Sequence, residues 1–168
     1  WLTGFGGSAG SAIVLKDKAA MFIDGRYVVQ VRDQVDGNLY EYVNIKDQKP
    51  HEWLAAHASK GGTIGYDAWL HTREWAETAR KALKKTGAEL VEVDSNPIDS
   101  VWEDQPPRSP EKLAVHPDQY AGKSARDKRA DVAAWLKDND YDATVIAALD
   151  SVAWFFNVRG KDIANTPV

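Results

Sequence analysis

The 168-residue chain is predicted to be an α/β protein with a mixed β-sheet flanked by helices. Three observations support this class. Short apolar runs of strand length alternate with longer segments whose apolar residues recur at helical spacing. Glycine and proline separate these segments. With 43% hydrophobic residues, a chain of this length can bury a core, so a globular protein of one or two domains is expected.

Residues 4–27 predict a glycine loop, a β-hairpin and the start of a helix. The apolar runs 11–15 and 19–23 are separated by Lys-Asp-Lys, which is typical of a tight turn between two largely buried strands. Asp24 follows the second strand and is expected to cap a helix, because apolar residues recur after it at helical spacing. These apolar residues are Tyr27, Val28, Val31 and Val35.

The chain continues with the same alternation. Further strands are predicted at 40–45, 63–66 and 89–93. Further helices are predicted from Pro50, over 72–86 and from Asn96 through Trp102. Apolar positions on these helices, together with the next helix of the chain, place four tryptophans in the core. They are Trp53, Trp75, Trp102 and Trp135.

A proline-rich segment, residues 105–111, predicts a stiff linker. We therefore expect a first domain at 1–104 and the opening part of a second domain at 112–168. In the second part, the pattern predicts a helix over 124–138 and a buried strand over 144–148.

Composition and motif spacing argue against several functions. A net charge of −4, from 21 basic and 25 acidic residues, predicts no nucleic-acid or membrane partner. The glycines at 4, 6, 7 and 10 lack the G-x-G-x-x-G spacing and precede a strand, so phosphate binding is not favoured. The four histidines form no metal-binding motif, and a serine hydrolase is not favoured. The absence of cysteine suits a cytoplasmic protein.

Arg26 is the candidate binding residue. It is expected in the first turn of a helix, where the helix dipole favours anions, so a cation there is expected to serve a partner. Its planar guanidinium suits a peptide carbonyl or carboxylate. The alternative is that Arg26 ties a turn to a neighbouring carboxylate or to backbone carbonyls, and this structural role is favoured for Arg159.

Two motifs resemble those of Xaa-Pro aminopeptidases, which belong to the creatinase/aminopeptidase P group. The first is WLTGFGGSAG at residues 1–10, followed by the hairpin and DGRY. The second is ALDSVAWFFNVRGKDI at residues 148–163, followed by Asn165 and Pro167. Two motifs in this order, about one domain apart, are more specific than either alone. Trp1 and Trp154 align, which suggests that both ends of the chain fall at the same point of one shared fold.

The resemblance implies a metal-dependent enzyme that removes the N-terminal residue preceding proline in a peptide. Two divalent metals, typically manganese, are implied in a C-terminal catalytic domain outside these residues, so no catalytic or metal-binding residue is assigned here. The DGRY position implies that Arg26 reaches the active-site cleft and binds the substrate. The implied roles of this chain are substrate binding, cleft closure and assembly. Its implied partners are the proline-containing peptide, the catalytic domain and a second copy in a homodimer.

Two other interpretations stay open. The chain could come from a pita-bread-fold relative that has lost peptidase activity and acts as a binding module. It could also be a stand-alone α/β interaction domain whose motifs are structural. The coding sequence after residue 168 distinguishes the three interpretations. Five metal ligands in order would support the peptidase, and degenerate ligands would support the inactive relative. A stop codon would support the interaction domain.

The resemblance also implies an incomplete first sheet. In the family a helix and a strand precede the WLTGF motif, so the first domain is expected to lack them and to present an unpaired strand edge. We expect the helix at 124–138 and the strand at 144–148 to dock there, within one chain or between two.

The 168-residue chain by itself is predicted to bind no stoichiometric Mn²⁺ and to hydrolyse no Xaa-Pro peptide, because its sequence offers no cluster of hard oxygen and imidazole ligands. Calorimetric titration with Mn²⁺ and a peptide-release assay measure the two properties. Manganese-dependent turnover by the purified chain would contradict the prediction.

Overall fold

The computed structural model describes residues 1–163 and 165–166. Pro167, the last residue of the second motif, therefore lies outside the described residues. Two compact units are present, Trp1–Gln105 and Pro106–Val168. Each unit combines strands with helices, and the strand pairs are both parallel and antiparallel, which confirms the predicted α/β class.

The first unit is built around a three-stranded sheet in the order β1-β2-β3. Its strands are β1 (Gly10–Val14), β2 (Ala19–Ile23) and β3 (Tyr40–Asn44). β1 and β2 form the predicted hairpin, closed by the N–H of Leu15 donating to the carbonyl of Lys18. β2 and β3 run parallel. β1 is largely exposed, contrary to the sequence prediction, because it lies at the edge of the sheet.

Two helices cover opposite faces of β2. Alternate side chains point to opposite faces of a strand. Ala20 and Phe22 pack with Trp53 of α2 (Pro50–His57), as the sequence predicts for this tryptophan. Met21 and Ile23 pack on the other face with α1 (Gln30–Gln34) and the residue after it, through Val31 and Val35. β2 is consequently the most completely buried strand of the first unit.

A second α/β layer follows in the same unit. β4 (Thr63–Tyr66) and β5 (Glu89–Glu92) form a parallel pair. Helix α3 (Arg73–Leu83) packs on them, and its N-terminus is capped by the Thr72 hydroxyl, which accepts from the N–H of Trp75. The core of this layer also contains Leu54 of α2 and the partly buried Trp75.

The expected helix from Asn96 through Trp102 is not formed, and the segment is a series of turns. The side chain of Asn96 accepts from the N–H of Ile98, and the hydroxyl of Ser100 donates to the carbonyl of Pro97. Such local bonds from asparagine and serine compete with regular helix bonding. Trp102 is partly buried by stacking on Trp1, with ring centroids 5.2 Å apart.

Two strand edges of the first unit face a common cleft. Within the described ranges, β1 pairs with β2 alone and β4 pairs with β5 alone. The cleft between them has a volume of about 580 Å³. Its walls are the end of β1 with the hairpin turn (Val14, Leu15, Lys16, Asp17), the end of α2 with the segment after it (His57, Ser59) and the start of β4 (Gly62, Thr63, Ile64, Gly65).

The described residues of the second unit form a short antiparallel pair and three helices. The strands are β6 (Ala114–Val115) and β7 (Val158–Arg159). The helices are α4 (Asp118–Ala121), α5 (Ala125–Asp138) and α6 (Leu149–Phe156). Helix α5 confirms the predicted helix at 124–138, and its N-terminus is capped by Ser124.

Two predictions for the second unit are wrong. Residues 144–148 form no strand, and Val145 is 91% exposed. An apolar run becomes a strand only where another strand pairs with it, and the described part of the unit provides none for this run. Because this strand is not formed, its expected docking onto the first sheet is wrong as well. Trp135 is 56% exposed and stacks on Tyr141 instead of entering a core.

Lys128 is a buried cation that holds the second unit together. The residue is only 2% exposed. The ammonium donates to the carbonyl of Trp154 at 2.8 Å and to Oδ1 of Asn157 at 2.6 Å, and it lies 4.3 Å from the centroid of the Trp154 ring. Asn157 in turn donates to Oδ1 of Asp118 and to the carbonyl of Lys123. This network joins α4 and α5 to the end of α6.

Replacing Lys128 with methionine is expected to lower the free energy of unfolding of the second unit by about 1–3 kcal/mol for each acceptor left without a donor. Chemical denaturation followed by tryptophan fluorescence measures the change. Lys137→Met on the same helix is the matched control, because Lys137 is exposed. Equal stability of the two variants would contradict the role assigned to Lys128.

Candidate functional site

The candidate site lies at the carboxyl ends of β2 and β3. Asp24 directly follows β2, and Asn44 is the last residue of β3. Because these strands are parallel, their carboxyl ends meet at one edge of the sheet, where α/β proteins commonly bind ligands. The short 3₁₀ helix Gly25–Tyr27 places Arg26 at this edge.

Asp24 and Arg26 form a close ion pair. The Nε of Arg26 donates to both carboxylate oxygens of Asp24, at 3.1 and 3.0 Å, and Nη2 donates to Oδ2 at 2.5 Å. The backbone N–H of Arg26 donates to Oδ1 at 2.9 Å, so Asp24 also caps the 3₁₀ helix, close to the capping role predicted for it. The Arg26 side chain is 71% exposed and that of Asp24 is 22% exposed.

Each member of the pair stabilises the charged form of the other. The hydrogen bonds from the side chain and backbone of Arg26 lower the pKa of Asp24, and the hydrogen bond to Asp24 raises the pKa of Arg26. Because the folded-state pKa of Asp24 is lowered, its contribution to stability is present above the unfolded-state pKa of about 4. That contribution is lost as the pH falls through the lower folded-state pKa of Asp24.

The guanidinium of Arg26 keeps one edge free. Asp24 occupies Nε and one hydrogen of Nη2, and Nη1 makes no hydrogen bond to any residue that the structure describes. The carbon Cζ lies 5.3 Å from the centroid of the Tyr27 ring. Arg26 can therefore donate to a carbonyl or carboxylate oxygen without leaving Asp24.

The glycine loop supports the site through close packing. Gly6 donates its N–H to Oε1 of Gln34 at 2.9 Å. Gly4 has a φ of +73°, and a Cβ there would lie 2.9 Å from the carbonyl oxygen of Gln34. A Cβ on Gly7 or Gly10 would clash with the ring of Phe5. The close approach of these glycines to Gln34 of α1 and to the ring of Phe5 explains why they lack side chains, without a phosphate.

Ser8 holds Tyr27 in place. Residues 6–10, Gly-Gly-Ser-Ala-Gly, fit a G-x-S-x-G pattern with Ser8 at its centre. The loop nevertheless precedes β1 and does not join a strand to a helix, as a nucleophile elbow does. The Ser8 and Tyr27 hydroxyls are 2.7 Å apart, so Ser8 bonds a phenol and not an imidazole. A serine nucleophile remains unsupported.

Two small pockets flank the end of β2, and sequence reasoning missed both. One, of about 200 Å³, is mostly apolar and is lined by Ala9, Gly10, Ser11, Phe22, Ile23, Asp24 and Ile45. The other, of about 230 Å³, is lined by Ile23, Val28, Val31, Arg32, Tyr42, Asn44 and Asp47. Both are below the usual size range of ligand cavities, so each suits one side chain of a larger ligand. No local sequence signal predicts them, because each is lined by segments that are distant in sequence and meet beside the end of β2.

The other candidate residues have structural partners. Nη1 of Arg159 donates to the carbonyls of Ala153 and Val158, which agrees with the structural role favoured from the sequence. The rings of His57 and His71 pack on Trp53 and Trp75, with centroids 4.3 and 3.9 Å apart. Across residues 1–163 and 165–166, no three potential ligand side chains converge to form a metal site. No helix in those ranges has the length and apolar character needed to cross a membrane.

Two family models match the chain, and both are described as Creatinase/Prolidase N-terminal domain. One matches residues 1–101 and the other residues 104–168. The "Probable Xaa-Pro aminopeptidase P" of Aspergillus clavatus is 41% identical over 171 residues and aligns with all of this chain. The protein of the same name from Penicillium rubens is 40% identical over the same length. These matches confirm the resemblance inferred from the two motifs.

A solved structure shares the fold of nearly the whole chain. It is described as an X-prolyl aminopeptidase from Caenorhabditis elegans, "a cytosolic enzyme with a di-nuclear active site". It matches 99% of this chain with a TM-score of 0.89 and 30% sequence identity. The match covers 28% of the worm protein, and the fungal alignments cover 26% and 28% of the fungal proteins. The chain thus spans about a quarter of the length of the relatives it matches.

Proposed function

The chain belongs to the creatinase/prolidase N-terminal domain family, and from this premise we propose that it is the non-catalytic N-terminal portion of a metal-dependent Xaa-Pro aminopeptidase. Such an enzyme removes the N-terminal residue that precedes proline. The observation that carries the proposal is the agreement of nearly the entire chain with the worm X-prolyl aminopeptidase structure. We further propose domains at 1–104 and 112–168, a linker at 105–111, and a cytoplasmic location.

The proposed contribution of this chain is to bind substrate and to close the cleft over it. The free guanidinium edge of Arg26 suits a peptide oxygen, and the small apolar pocket beside Asp24 suits one apolar group of the ligand.

The described side chains do not form a metal site, so they do not fit a metal pair. We assign two divalent metals, with manganese as the expected identity, to a C-terminal catalytic domain. They would supply the nucleophilic hydroxide there.

Sequencing the coding region downstream of residue 168 tests this proposal most directly. Two Asp, one His and two Glu ligands in order would support the peptidase. A degenerate set would favour the alternative, a non-enzymatic binding domain of a pita-bread-fold relative.

In the polypeptide that carries the catalytic domain, Arg26→Ala is expected to lower kcat/KM for an Xaa-Pro peptide by about tenfold to a thousandfold. The reason is the loss of one or two charge-assisted hydrogen bonds to the substrate. Steady-state kinetics measure the effect. Arg73→Ala is the matched control, because Arg73 is also an exposed arginine in an ion pair, with Glu77 on α3.

Thermal unfolding of both variants separates binding from structure. A normal kcat/KM combined with a lower melting temperature for Arg26→Ala would return Arg26 to the structural role of holding the turn at Asp24. An effect of equal size in Arg73→Ala would point to a general charge effect.

We also propose a homodimer. Its support is the exposed edge of β1 and the cleft that this edge shares with β4, because an unpaired strand edge can pair with another chain. Exchange of a strand at 144–148 between two chains cannot form this dimer, because that strand is not formed.

Val14→Lys, at the exposed end of β1, is expected to shift the dimer towards monomer, because a lysine on an edge strand opposes edge-to-edge pairing. Light scattering over a range of concentrations measures the shift. Val29→Lys places the same charge at another exposed valine, away from the edge, and is expected to leave the association unchanged. A wild-type chain that stays monomeric at all concentrations would refute the proposed dimer.

A further inference from the structure

Asp24 is attached more firmly to the fold than Arg26 is. It follows directly on Ile23, which is fully buried in the central strand β2. The backbone N–H of Arg26 donates to its Oδ1, which fixes the orientation of the carboxylate. The Arg26 side chain is long and exposed, and apart from Asp24 its guanidinium contacts the ring of Tyr27. Asp24 is therefore the group that determines where the guanidinium lies.

The charges of the pair also favour one chemical class of ligand over another. The lowered pKa of Asp24 and the raised pKa of Arg26 keep both groups ionised at neutral pH, so the pair carries no net charge. A carboxylate ligand at the free edge of the guanidinium would lie close to the carboxylate of Asp24 and be repelled by it. A neutral carbonyl oxygen accepts the same hydrogen bonds without this repulsion.

We propose that Asp24 is a positioning residue for ligand binding: it holds the guanidinium of Arg26 so that the free edge donates to a neutral peptide carbonyl in preference to a carboxylate. This inference rests on the proposed function of Arg26. It adds Asp24 to the site as a second residue, and it specifies the chemical class of the hydrogen-bond acceptor that Arg26 binds. Asp24 makes no hydrogen bond to the ligand in this arrangement and acts on the carbonyl through Arg26.

A double-mutant cycle in the polypeptide that carries the catalytic domain tests the inference. The proteins are the wild type, Asp24→Asn, Arg26→Ala and the double variant. Asparagine keeps an acceptor for the N–H of Arg26 and caps helices as well as aspartate does, so the turn is retained while the charge is lost. Asp24→Ser is a second variant that retains a cap, should Asp24→Asn fold poorly.

Asp24→Asn is expected to lower kcat/KM for an Xaa-Pro peptide about tenfold in the wild-type background and to have no further effect in the Arg26→Ala background. Free carboxylates such as succinate are expected to inhibit Asp24→Asn more strongly than the wild type, because the site gains net positive charge. Glu77→Gln, which breaks the exposed pair with Arg73, is the matched control and is expected to leave kcat/KM unchanged.

The outcomes separate this inference from the function on which it rests. If Arg26→Ala itself has normal kinetics, the proposed role of Arg26 fails, and the inference fails with it. If Arg26→Ala is impaired but Asp24→Asn is not, the role of Arg26 stands and the inference is overturned. Equal losses from Asp24→Asn in both backgrounds would also overturn it, because Asp24 would then act independently of Arg26. Unchanged inhibition by succinate would refute the preference for a neutral acceptor.

Discussion

The first unit depends on the burial of β2 from both faces. A strand with four successive side chains removed from water needs helices above and below it and a strand on each side. Helices α1 and α2 supply the two covers, and β1 and β3 supply the hydrogen-bonding partners. The chain must then return to the surface at Asp24, where a charged residue can be hydrated. The candidate site is located at this exit point for that reason.

This arrangement explains why an exposed residue can still be well oriented. Asp24 is joined to the most completely buried strand of the unit, and Arg26 is joined to Asp24 by its side chain and its backbone. Sequence reasoning expected Arg26 to serve an external partner because a cation at a helix start gains nothing from the dipole. The structure supplies an intramolecular partner as well. The two roles are compatible because a guanidinium has five N–H donors and Asp24 uses two of them.

The second unit shows a different solution to the same need for a core. Among the described residues, its helices bury few large side chains, and the ammonium of Lys128 is buried instead. A buried cation is tolerated only when hydrogen bonds and polar groups surround it. Oδ1 of Asn157, the carbonyl of Trp154 and the ring of Trp154 meet that condition. The second family motif contains both Trp154 and Asn157, so at least part of that motif serves to hold this unit together.

The sequence by itself determined the elements whose cause is local. The hairpin turn after β1, the cap at Asp24 and the proline at the start of α2 each depend on residues a few positions apart, and each was predicted. The two motifs likewise identified the family. Only the tertiary structure decided which apolar segments are buried, because burial depends on residues distant in sequence. Thus residues 144–148 stay unpaired, Trp135 is exposed and Lys128 is buried. The pockets at the end of β2 likewise exist only because segments distant in sequence meet there.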